Sequence, residues 1–274
     1  MAVRSALINV MVRAVNQAAR GLKRDFGEVE NLQVSKKGPA DFVSAADIKA
    51  EQVLRKELSR ARPDYGFLME ESGGTDPKPG CDRRWIVDPL DGTTNFLHGL
   101  PHFAISVGLA EGDEIVAGVI YDPIKDELFW AEKGGGAFLN DRRLRVSSRR
   151  QLSEGLFATG IPFLGSSKDD GVFLRELTAV MQSSSGVRRW GVASLDLAYV
   201  AAGRFDGFWE QGLSPWDFAA GILLVREAGG IVTDIAGDRV ALDGHSVIAA
   251  NDHLHRLLAK MIAAAQKGGA PEAG

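Results

Sequence analysis

The sequence predicts a mixed fold, α+β in its first half and α/β in its second. From Phe103 to Asn140 apolar runs alternate with turns, the pattern of an antiparallel meander. After Leu156 strand signals alternate with helical ones, as crossover connections require. The chain of 274 residues is 45% hydrophobic, enough for a sizeable core and about two domains. A division at 1–145 and 146–274 is expected, packed as one compact unit with any site at the junction.

In chain order, Leu7, Val10, Met11, Ala14, Ala18 and Leu22 keep helical spacing and give an amphipathic first helix. Ser35 to Pro39 is basic and polar, and reads as a flexible link. A second helix follows, with Ala50, Val53, Leu54, Leu58 and Ala61 on one face. Ser44 to Asp47 ahead of it has the form of a capping box. Tyr65–Met69 reads as a strand that ends in Glu70-Glu71-Ser72; an acidic pair there is ordinarily just solvated.

Trp85-Ile86-Val87 is a short apolar run, read as a buried strand. Asp88 stands at its carboxyl end, where open sheets tend to place ligands. Pro89 lacks an N–H, so the chain is expected to leave the sheet there. Gly92 permits close backbone approach, and Thr93-Thr94 can open a helix whose N–H groups face an anion. Asp88 and Asp91 ahead of that helix suit hard cations and a phosphate together. An aspartyl-phosphate loop, Asp-x-Asp-x-Thr, does not fit, because the second Asp falls one position late.

Phe103–Ala110, Ile115–Asp122, Glu127–Glu132 and Ala137–Asn140 are the meander strands. Gly134-Gly135-Gly136 reads as a hairpin, since no helix or Lys follows in phosphate-loop register. Arg142, Arg143, Arg145, Arg149 and Arg150 form a basic cluster near the division, ordinarily a solvated face. Beyond it come strands at Leu156–Gly160, Gly207–Glu210, Ile231–Asp234 and Ser246–Ala250. Helices are expected at Val172–Gln182, Ser194–Ala202, Trp216–Ala228 and Asp252–Ala265. Ser214-Pro215-Trp216-Asp217 opens the third of these with an N-cap, a proline and a first-turn acid. His253 and His255 read as a polar helix face.

The formal charge of −4 gives no bulk attraction for nucleic acid or anionic membrane. A single cysteine, Cys81, cannot form an internal disulfide, and arginines interrupt the N-terminal apolar residues. A cytoplasmic protein without signal peptide or membrane span is expected.

The block Trp85 to Phe96 resembles the signature of the inositol monophosphatase family, Trp-x-x-Asp-Pro-x-Asp-Gly-Thr-x-Asn-Phe. Trp216-Asp217 and the apolar helix ending Glu227-Ala228-Gly229-Gly230 resemble that family's second signature, and the likeness runs from the first helix to about Lys260. The resemblance implies a layered αβαβα sandwich of the sugar-phosphatase type and a Mg²⁺-dependent phosphatase of myo-inositol monophosphate or a related polyol phosphate. Fructose-1,6-bisphosphate, histidinol phosphate and nucleotide 3′-phosphates are the rival substrates.

It implies two or three Mg²⁺ ions. One would be held by Glu70, Asp88 and the Leu90 carbonyl, a second by Asp88, Asp91 and Asp217, and a weaker third, lithium-sensitive, by Glu70 through water beneath Lys36 to Gly38. Oxygen donors without Cys or His suit Mg²⁺ rather than zinc. Glu70 and Thr93 would orient the attacking water, with Asp47 accepting from Thr93 and Glu71 in support. Asp91, Gly92 and Thr93 would meet the phosphate. Gly191, Val192, Ala193, Glu210 and Asp217 would meet the alcohol. Val192 departs from the family's Thr or Ser, which predicts a lost substrate hydrogen bond. The resemblance also implies a homodimer. A regulatory contact with the transcription machinery, through Arg188-Arg189 and the basic cluster, is the alternative of a different class.

Overall fold

The computed structural model describes residues 3–28, 34–38, 41–162 and 170–268. The first helix, α1 (Ala6–Phe26), is capped by the Ser5 hydroxyl, which accepts from the Ile8 N–H at 3.1 Å. Its apolar stripe packs with α2 (Ala45–Ala61) on one face of an eight-stranded sheet. Between these helices, β1 (Val34–Gly38) and β2 (Asp41–Ser44) pair antiparallel. The expected flexible link at Ser35–Pro39 is therefore corrected: Ser35 to Gly38 take part in a ladder, and Pro39 lies outside the described residues.

The large sheet comprises β3 (Gly66–Met69), β4 (Gly73–Thr75), β5 (Arg83–Asp91), β6 (Ala104–Glu111), β7 (Glu114–Asp122), β8 (Glu127–Glu132), β9 (Gly136–Leu139) and β10 (Arg142–Arg143). Its spatial order is β10-β9-β8-β7-β6-β5-β3-β4. Only the β3–β5 pair is parallel, so the end of β3 lies beside the middle of β5. A short helix, α3 (Thr93–Leu97), follows β5.

The second sheet is built from β11 (Leu156–Thr159), β12 (Gly186–Arg188), β13 (Gly207–Gln211), β14 (Ile231–Thr233) and β15 (Ser246–Ala250), in the order β12-β11-β13-β15-β14. The helices α4 (Asp170–Ser183) and α7 (Asp252–Gln266) cover its outer face. Between the sheets lie α5 (Ala193–Ala201) and α6 (Pro215–Glu227), nearly free of exposed positions because both sides are covered. The result is the αβαβα sandwich. The helix α6 approaches the large sheet closely, since a Cβ at Gly118 would stand 2.9 Å from the Ala220 carbonyl oxygen. Among the described residues no helix is long and apolar enough to cross a membrane.

Two further local expectations change, and a third is met. Pro89 does not end β5: Asp88 pairs with Ser106 and Asp91 with Ala104, across a bulge that absorbs the proline. His255 is buried, with Nε2 3.0 Å from the Thr233 hydroxyl, rather than part of a polar face. The glycine run does form the β8–β9 hairpin, and the Gly134 and Gly136 N–H groups both donate to the Glu227 carboxylate at 2.7 Å. The acid of the second signature thus fills the anion nest that the glycines make.

Candidate active site

Parallel register assembles the first acids. Met69 pairs with Val87, and the Glu70 N–H donates to the Val87 carbonyl at 3.2 Å, so Glu70 emerges beside Asp88. Asp88 is buried, and its Oδ1 accepts from the Leu90 N–H at 2.9 Å. That bond closes the turn across Pro89 and fixes the carboxylate. Three residues on, Asp91 Oδ2 accepts from the Ser194 N–H at 2.8 Å, near the start of α5. Asp217 sits in the first turn of α6, where Oδ2 accepts from the Ser214 N–H at 2.7 Å. A capping box and a site acid are here one residue.

These acids share one electrostatic environment. Burial, then the charges of Glu70, Asp91 and Asp217, holds the Asp88 carboxyl well above its ordinary range. Asp217 is raised the same way, by burial and then by Asp91. Burial pushes Asp91 up to about 6 against the Ser194 hydrogen bond, which pulls it down. Among the described residues no three His, Cys, Asp or Glu side chains close on one point as a finished cage does. Each of these three Asp carboxylates instead ties one oxygen to a backbone N–H. The donors are all hard oxygens, and their mutual repulsion is the kind that divalent cations relieve, so the set fits Mg²⁺.

Thr93 lies in the same loop. Gly92, at φ 93° in the left-handed region, turns the chain into α3, and the Thr93 hydroxyl then stands 2.9 Å from Asp47 Oδ1 and 3.0 Å from the Leu90 carbonyl oxygen. Asp47 is buried, and its Oδ2 accepts from the Ser44 N–H at 2.9 Å, so one carboxylate serves both the cap and the threonine. Burial raises its pKa, opposed by the hydrogen bonds from Ser44 and Thr93.

One turn along α2, buried Glu51 accepts from the Glu71 N–H at 2.9 Å and the Ser72 N–H at 3.3 Å. Asp47 and Glu51, on one helix face, therefore hold the Thr93 loop and the Glu70 turn in place. Sequence reasoning missed Glu51. Its only signal is an acid in step with the apolar stripe.

The second sheet closes the other side. Glu210 stands half-buried near the end of β13, and burial, then the Asp91 charge, pushes it up to about 8 against Arg189. Asp196, in the first turn of α5, is buried, and its Oδ1 has no hydrogen-bond partner among the described residues. Burial, then the charges of Glu210 and Asp91, raises it well above the ordinary range. It too was missed. The signature amide Asn95 clamps the halves together, donating to the carbonyls of His102 at 2.9 Å and Trp190 at 2.8 Å.

The segment Gly191-Val192-Ala193 docks on the same loop, but not as expected at Val192. That residue is fully enclosed, and its Cγ2 lies 2.8 Å from where a Cβ on Gly92 would stand. Its side chain packs over the glycine, so the absent hydroxyl would not face a substrate. Of the basic cluster, Arg149 pairs with Asp206 at 3.1 Å and Arg143 lies over Gly136. A cavity of about 680 Å³ near the start of β5, between Arg84 and Arg239, contains none of the clustered acids.

A model of the inositol monophosphatase family matches residues 3–268. The chain belongs to that family. Within it, the inositol-1-monophosphatase of Rhizobium meliloti (strain 1021) is 59% identical over 259 residues, spanning 94% of this chain and 97% of that protein. The Nus factor SuhB of Pseudomonas aeruginosa is 42% identical over 254 residues, spanning 92% and 94%. The crystal structure of the extragenic suppressor protein suhB from Bartonella henselae superposes with a TM-score of 0.91 at 58% identity, covering 94% of this chain and 98% of that one. This family member shares with those relatives a sequence likeness over nearly its whole length.

Proposed function

We propose that this family member is a Mg²⁺-dependent phosphomonoesterase that hydrolyses myo-inositol monophosphate, or a related polyol phosphate, to the polyol and phosphate. The observation that carries the reading is the meeting of Glu70, Asp88, Asp91 and Asp217 with the Thr93–Asp47 pair, opposite Glu210. Glu70, Asp88 and the Leu90 carbonyl would hold one ion, and Asp88, Asp91 and Asp217 a second, with a third and weaker ion near Glu70. Bound Mg²⁺ would supply Lewis acidity toward the phosphoryl oxygens and lower the pKa of coordinated water.

The chain's own groups orient the reaction. With its proton directed to Asp47 Oδ1, the Thr93 hydroxyl turns a lone pair toward the water, and Glu70 draws off a water proton. The Gly92 and Thr93 N–H groups face a phosphate oxygen. Water oxygen bonds to phosphorus, the ester P–O bond breaks in line, and the leaving alkoxide takes a proton from solvent water while the proton held on Glu70 passes back to solvent. Glu210 accepts from polyol hydroxyls, with the backbone of Gly191 to Ala193 beside it.

The name of the Rhizobium relative supports the inositol substrate. A panel of myo-inositol 1-phosphate, fructose-1,6-bisphosphate, histidinol phosphate and a nucleoside 3′-phosphate, each with Mg²⁺, tests it. The highest kcat/KM is expected on the inositol ester, and a tenfold preference for another member overturns that assignment. Lithium inhibition, a cytoplasmic home and a homodimer belong to the same reading; a lithium series at fixed Mg²⁺ and sedimentation check the first and last.

A second reading is favoured by the relative named Nus factor SuhB: a regulatory contact with the transcription machinery. A folded, inactive Asp91→Asn chain that still restores the cellular role would support that reading.

A further inference from the structure

The residue facing Glu210 across the second sheet is a glycine, and its position is unusual. In the parallel β11–β13 pair, Phe157 lies beside Gly207, Ala158 beside Phe208 and Thr159 beside Trp209. One step further the register sets Gly160 beside Glu210. In-register neighbours on parallel strands point their side chains to the same face. Gly160 is buried, and a Cβ built on it would stand 1.8 Å from Glu210 Oε1 and 2.1 Å from Cδ. The Glu210 carboxylate therefore occupies the space a side chain at 160 would fill.

Of the two partners, only the Glu210 side chain is free to settle the conflict. The Thr159 hydroxyl donates to the Trp209 carbonyl at 2.7 Å and fastens the end of β11 to β13, so the backbone cannot easily retreat. No hydrogen bond from a described residue fixes the Glu210 carboxylate, whose electrostatic neighbours include Asp91, Asp196, Asp217 and Arg189. Any added atom at 160 displaces the flexible end of Glu210 and leaves the strands paired.

We infer that Gly160 is a specificity-determining position: by lacking a side chain it lets the Glu210 carboxylate lie over β11, at the alcohol end of the site, and so sets discrimination between polyol phosphates and simple phosphate esters. The inference rests on the reading of Glu210 as the polyol acceptor. Gly160 touches no reacting atom; it positions one that touches the substrate.

The test is Gly160→Ala in the full chain, with Glu210→Ala and the double variant. First, a crystal structure of Gly160→Ala should show the 210 carboxylate displaced while the β11–β13 register is kept; an unmoved carboxylate, or a shifted strand, overturns the inference. Second, the ratio of kcat/KM on myo-inositol 1-phosphate to that on p-nitrophenyl phosphate should fall by about tenfold in Gly160→Ala. In the Glu210→Ala background, adding Gly160→Ala should change that ratio by less than about twofold, since the conflict has been removed. An additive effect overturns the inference. If Glu210→Ala alone leaves the ratio untouched, the reading of Glu210 falls with the inference, whereas a lowered ratio in Glu210→Ala with none in Gly160→Ala sinks Gly160 alone.

Discussion

The two ends of the site are held by different means. At the end proposed for the phosphate the main chain fixes the acids: Asp88, Asp91 and Asp217 each accept a backbone N–H, from Leu90, Ser194 and Ser214, at 2.7–2.9 Å. At the end proposed for the alcohol, no hydrogen bond from a described residue's backbone tethers the Glu210 carboxylate. Glu210 lies against Gly160, and Asp196 keeps an oxygen without a hydrogen-bond partner among the described residues. A carboxylate tied to backbone keeps its place when neighbouring side chains change, as a common chemical step requires. One placed by packing moves with a single methyl group, which makes the alcohol end the easier place to alter substrate choice.

The largest effect should come from the phosphate end. Asp88→Asn keeps the shape and the Leu90 contact but removes a charge shared by the whole cluster. Turnover is expected to fall by about 10²–10³ at saturating Mg²⁺, with circular dichroism unchanged. Near wild-type turnover would remove Asp88 from the site.

Next in size is Thr93→Val, which should cost turnover ~10²-fold with little change in thermal midpoint, because Asp47 still caps α2 through Ser44. Asp47→Ala, by contrast, should lose both activity and about 1 kcal/mol of stability. Equal melting of the two variants would show that the cap and the threonine contact are not separable.

A smaller, pH-dependent effect marks the alcohol end. In the folded chain Glu210 keeps its proton up to about 8, against an ordinary 4.5. Between those values the folded state binds more protons than the unfolded one, so stability falls as pH rises through that window. In chelator the thermal midpoint should therefore decline across it, and Glu210→Gln should lessen the slope. A slope unaffected by the substitution would place the titration elsewhere.

The smallest functional effect is expected at Val192. A hydroxyl introduced by Val192→Thr would be enclosed against Gly92, at a stability cost of about 1–3 kcal/mol if left unpaired. Ratios of kcat/KM among substrates should stay level; a shift in them would return this side chain to the substrate.

The sequence made the phosphate end readable because its acids lie in contiguous signatures whose chemistry shows residue by residue. The long helices and the meander were equally legible from periodicity. Less was visible where position depends on a partner strand. Glu70 meets Asp88 only through the β3–β5 register, and Gly160 has meaning only opposite Glu210. Glu51 looked like any helix acid until its carboxylate was seen to hold the Glu71 turn. The strands β4 and β12, three residues each, are too short to leave a periodic trace. Val192 misled because a difference from a family pattern does not say which way the side chain points.

The contrast between the two ends is tested most directly by measuring kcat/KM on myo-inositol 1-phosphate and on p-nitrophenyl phosphate for wild type, Asp91→Asn and Glu210→Gln together. Asp91→Asn should lower both substrates by a similar large factor. Glu210→Gln should lower the inositol ester several-fold more than the aryl ester. Equal losses on both esters in Glu210→Gln, or a loss confined to one ester in Asp91→Asn, would contradict the assignment of chemistry to one end and recognition to the other.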